Sequence, residues 1–73
     1  MTKVFNYTPP NQEERVYMIE PIGNDWYELS CDGSTIGKMV SEEECRRVIW
    51  AYWNNLGVEM DYLKDEDFTV IQE

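Results

Sequence analysis

The side chains here that could do chemistry are carboxylates. Glu42, Glu43 and Glu44 stand in a row, Asp65, Glu66 and Asp67 form a second row, and Glu59 and Asp61 lie shortly before it. Two carboxylates can act as general acid and base when a fold holds them at a fixed separation across a cleft, but adjacency in sequence does not set that separation. The chain has no histidine, which removes the usual general base, the common metal ligand and any Ser-His or Cys-His nucleophile pair. A chain of 73 residues also has little room for a cleft beside its core. A non-enzymatic chain is expected.

Asp61, Asp65 and Asp67 crowd together, yet a calcium-binding EF-hand loop needs a glycine at its sharp turn and a terminal glutamate beyond it. Neither stands at the required place, so no metal and no cofactor are expected. Cys31 and Cys45 are the only cysteines, and with no signal-peptide pattern in residues 1–5 they read as buried thiols in a reducing cytoplasm. Asn6-Tyr7-Thr8 matches the glycosylation acceptor pattern, which has no route to modification without secretion. No apolar run reaches the length needed to span a bilayer.

Fifteen acids against six bases give a net charge of −9. That sign argues against direct contact with nucleic acid or an anionic membrane, because both are met by Lys and Arg. It suits a basic protein surface, and it also keeps a small protein monomeric in solution. Ten aromatics (three Trp, five Tyr, two Phe) and a hydrophobic fraction of 42% are too many for a disordered acidic chain. One folded domain over residues 1–73 is expected.

The elements follow from punctuation and periodicity. Residues 2–7 are strand formers that Thr8-Pro9-Pro10-Asn11 interrupts, so residues 1–11 read as an edge strand or mobile arm. Residues 15–20 read as a second strand closed by a Pro21-Ile22-Gly23-Asn24 turn. In residues 25–31, Tyr27, Leu29 and Cys31 alternate with Trp26, Glu28 and Ser30, the period of a half-buried strand. Asp32-Gly33 then signals a type I′ turn into a strand over 34–40.

Ser41-Glu42-Glu43-Glu44 has the form of a capping box, and Gly57 offers a left-handed stop, which predicts a helix over about 42–56. Cys45, Val48, Ile49, Tyr52 and Leu56 recur at helical spacing as its core stripe, Trp50 and Trp53 flank that stripe, and Arg46, Arg47, Asn54 and Asn55 point out. Val58, Met60 and Tyr62 alternate with acids, and residues 68–71 read as a closing strand. The expected architecture is α+β: a small antiparallel β-sheet with one helix packed on one face.

Charge divides unevenly along this plan. Residues 1–12 hold no acid, whereas residues 59–73 hold six acids and one Lys. An apolar arm of Val4, Phe5 and Tyr7 beside an acidic face of Glu59, Asp61, Asp65, Glu66 and Asp67 is the candidate partner-binding surface, the arm by strand addition and the acids by attraction. Phe5 and Tyr7 can equally pack on their own sheet. The same charge admits two functions: a protein-binding regulator, which needs a local patch and an anchor, or a nucleic-acid mimic inhibiting a DNA- or RNA-binding enzyme, which needs carboxylates in rows at phosphate spacing.

The profile as a whole, with one cytoplasmic domain, strong negative charge and many aromatics, resembles the small host-takeover proteins of bacteriophages. The length and the opening Met1-Thr2-Lys3-Val4-Phe5-Asn6-Tyr7 narrow the resemblance to phage-encoded transcription regulators that bind host RNA polymerase. That resemblance covers the whole chain. It implies binding to the N-terminal segment of the polymerase β′ subunit, displacement of the σ factor with loss of host initiation, and antitermination together with an elongation factor. It carries no contact residues onto this sequence.

Overall fold

The computed structural model describes residues 2–54 and 62–72. Among these residues five strands and one α-helix follow in the order β1 (Lys3–Tyr7), β2 (Arg15–Gly23), β3 (Trp26–Cys31), β4 (Ser34–Met39), α1 (Glu42–Asn54), a 3-10 turn at Asp65–Asp67, and β5 (Phe68–Gln72). The strands form one antiparallel sheet in the order β4-β3-β2-β1-β5, with α1 on one face, an α+β fold.

Local chemistry sets the hairpins. Asp32 and Gly33 have φ of 51° and 89°, the two positive angles of a type I′ turn. The turn between β2 and β3 sits later than its Pro and Gly suggest. β2 runs through Pro21 to Gly23, and Asn24 and Asp25 make the reversal with φ of 52° and 63°. Pro21 lies past Ile19, the last residue of β2 that pairs with β1, so its missing N–H falls where one side of the strand is unpaired.

The edge strand or mobile arm expected within residues 1–11 is, over Lys3–Tyr7, neither. β1 is an inner strand, pairing Phe5 with Tyr17 on one side and with Val70 on the other. So small a domain needs every large apolar side chain it has, and Phe5 (0% exposed) and Tyr7 (7%) belong to the core with Tyr17, Ile19, Leu29, Cys45, Ile49, Leu63 and Phe68. Phe5 stacks on Tyr17 at 5.8 Å and meets Phe68 at 4.6 Å.

The helix begins as its sequence directs: Glu44 N–H donates to Ser41 Oγ at 3.1 Å, satisfying one of the unpaired donors of the first turn. The Glu44 carboxylate turns instead to Arg47, whose Nε donates to it at 3.0 Å. The described helix ends at Asn54; residues 55 and 56, the Gly57 stop and the alternation at 58–61 lie outside the described residues.

The core stripe differs from expectation at its end. Cys45 and Ile49 are buried, but Tyr52 is 74% exposed and Trp53 packs inward in its place. The line Cys45, Ile49, Trp53 advances by four residues each time and follows one face. Trp53 also gains a polar partner, its Nε1–H donating to Tyr17 Oη at 2.8 Å. Arg46 does not point out either. Its side chain is 15% exposed and lies over the Phe68 ring at 4.7 Å, the apolar stem packing while the head group stays paired.

Candidate partner-binding site

The residues expected to bind are separated by the fold. Phe5 and Tyr7 face α1 from an inner strand, and Tyr7 Oη accepts from Asn54 Nδ2 at 3.3 Å, so neither is available as an anchor. Val4 lies between Met18 and Gln72 in the ladder, on the opposite face of the sheet. Asp65, Glu66 and Asp67 are exposed on the 3-10 turn leading into β5. Glu59 and Asp61 lie outside the described residues.

The fold brings together the two acidic rows that are far apart in sequence, and Arg46 is what joins them. Its guanidinium contacts Glu42 at 3.0 Å and Asp65 at 3.1 Å. Glu42 also takes Lys3 Nζ at 2.8 Å, and Arg47 bridges Glu43 at 3.4 Å and Glu44 at 3.0 Å. Burial works to raise the Glu42 carboxyl pKa, but the Lys3 hydrogen bond and the charges of Lys3 and Arg46 outweigh it and hold the group below its ordinary value. The patch is thus an acidic surface stitched by bases. Among the described residues no group of Cys, Asp and Glu is arranged to hold a metal ion.

A second feature was not singled out by the sequence pattern. Between the C-terminal half of α1 and strands β2 to β4 lies a cleft of about 300 Å³ lined by Arg15, Tyr17, Cys31, Ile36, Ile49, Tyr52 and Trp53. Tyr52 and Trp53 meet edge to face at 4.8 Å, and the Arg15 guanidinium lies 5.2 Å from the Trp53 ring, a cation–π contact. Asp32 organises the base of this end, accepting from Val16 N–H at 3.1 Å and pairing with Arg15 at 3.7 Å. The one available signal was the adjacency of Tyr52 and Trp53, because neighbouring residues on a helix cannot both face the core.

Two groups of the cleft, Tyr17 and Cys31, are favoured in their neutral forms. Burial pushes the Tyr17 phenol up to about 12. The Cys31 thiol is raised by burial and by the negative charge of Asp32, so it stays protonated and is a poor nucleophile. Apolar walls, aromatic rings and one guanidinium can seat a side chain of another molecule. No protein-family model, curated protein or solved structure matches the chain.

Proposed function

We propose that this chain is a protein-binding regulator of bacterial RNA polymerase, which inhibits host transcription initiation and acts in antitermination. The observation that carries the binding part is the disposal of charge. Lys3, Arg15, Arg46 and Arg47, four of the six bases, each lie within ion-pair distance of a carboxylate of the same chain, and acids outnumber bases by nine, so the field around the chain is negative. A basic surface would be drawn in by that field, and the Tyr52 and Trp53 cleft supplies the apolar contact that holds it. Polymerase as the partner, with the β′ N-terminal segment as the point of contact, rests on the resemblance in length and opening residues. A nucleic-acid mimic is less well supported, since Arg46 and Arg47 interrupt what would have to be an unbroken row of carboxylates.

Surface plasmon resonance with purified bacterial RNA polymerase tests the reading, alongside promoter-dependent run-off transcription and read-through of an intrinsic terminator. Association should slow steeply with salt as the Debye length contracts from about 10 Å at 0.1 M to about 3 Å at 1 M. The unaltered protein should lower run-off and raise read-through, and reversing Asp65, Glu66 and Asp67 to Lys should lower the on-rate and weaken both effects. Absence of binding at micromolar protein overturns the proposal. Binding that ignores both salt and charge reversal removes the acidic patch from the interface.

A further inference from the structure

Among the described residues the sheet has two outer strands, β4 and β5. β4 carries Lys38 and Gly37, residues that discourage another strand from adding to an edge. β5 reads Phe68-Thr69-Val70-Ile71-Gln72, without charge or proline, and residues 69–72 are exposed, Val70 by 39% and Ile71 by 57%. An outer strand of this composition offers backbone N–H and C=O groups as a template for strand addition.

Acids gather at one end of this edge. Asp65, Glu66 and Asp67 run directly into Phe68. Tyr7 pairs with Phe68 on one side and Arg15 on the other, so the exposed loop carrying Glu13 and Glu14 leaves the sheet at this same end.

We propose that β5 is a docking edge for an extended, basic segment of a partner protein, which joins the sheet outside β5 with its basic residues at the Phe68 end. This deepens the proposed function and takes from it only that the partner is a protein. Uninterrupted pairing runs along residues 68–70, because Ile71 is the extra residue of a bulge against Val4 and Phe5. A second copy of the chain is a poor occupant, since two chains of net charge −9 repel each other.

The test uses the full-length, isotope-labelled protein and a synthetic peptide of alternating valine and threonine that ends in lysines, with a glutamate-ended peptide as control. The lysine peptide should slow amide exchange at residues 68–72 by about tenfold or more, and the glutamate peptide should not. Ile71→Lys, at a position exposed enough to leave the fold intact by circular dichroism, should abolish the protection, and Glu66→Lys with Asp67→Lys should remove the preference for lysine. Unchanged exchange in β5, protection located elsewhere, or sedimentation showing a dimer built on β5 would each overturn the proposal. Polymerase binding without β5 protection overturns the edge and leaves the polymerase reading standing. Peptide protection without polymerase binding does the reverse.

Discussion

Trp53 and Tyr17 join the helix to the sheet through one hydrogen bond, the indole N–H donating to the phenolic oxygen at 2.8 Å. Tyr17 is 2% exposed, so the bond forms where water cannot replace it. Trp53→Phe should therefore cost about 1–2 kcal/mol, the lost bond together with a poorly solvated hydroxyl. Urea unfolding followed by circular dichroism measures it. An unchanged midpoint would mean that Tyr17 finds another partner.

The same tyrosine makes stability fall in alkali. Its folded pKa is raised by burial to about 12 from an ordinary 10.0, and Cys45 is raised by burial to about 11 from 9.0. The folded protein holds protons that the unfolded chain releases. The contribution is fully present below the ordinary values and is lost as pH rises through the folded ones. Denaturant midpoints should drop between pH 9 and 12, and Tyr17→Phe should flatten the upper part of that drop.

Acid acts through Glu42, whose pKa is held below 4.5 by Lys3 and Arg46 against the opposing effect of burial. A depressed carboxylate contributes stability above its unfolded pKa and loses it as pH falls through the folded one. Glu42→Gln should cost about 1 kcal/mol or less at neutral pH, as partly exposed ion pairs do. The variant should also lose less stability than the parent below pH 4.5, as read from denaturant midpoints at a series of pH values. Equal losses in the two proteins would remove Glu42 from the account.

Ser41→Ala removes the oxygen that receives Glu44 N–H and should destabilise the fold by about 0.5–2 kcal/mol. Ser41→Asp should restore most of that loss, since a carboxylate accepts the same bond and suits the helix N-terminus. Failure of the rescue would assign the loss to something other than the cap.

Leu63 is fully buried, and its N–H reaches Arg46 O at 3.5 Å. It anchors the stretch 62–64 that leads through the Asp65–Asp67 turn into β5. Leu63→Ala should cost about 2–5 kcal/mol and should speed amide exchange in β5 before the rest of the sheet. Uniform loss of protection would show that β5 unfolds only with the whole domain.

The sequence by itself determined what is written in local backbone preference and short periods. The Asp32-Gly33 reversal, the Ser41 cap, the alternation of Tyr27, Leu29 and Cys31 and the closing strand at Phe68 each depend on residues within a few positions of one another. Only the tertiary structure decided which strands are neighbours. β1 looked like an arm because nothing in residues 1–11 records that β5, more than sixty residues further along the chain, pairs with its far side. Tyr52 read as part of the core stripe and Trp53 as its flank, and the fold reverses them by bringing the Tyr17 hydroxyl against Trp53. Glu42 and Asp65 became neighbours only when Arg46 could reach both. Long-range pairing is settled by competition for a scarce core and by loop closure, costs and gains summed over the whole chain, and no short stretch of residues carries that sum.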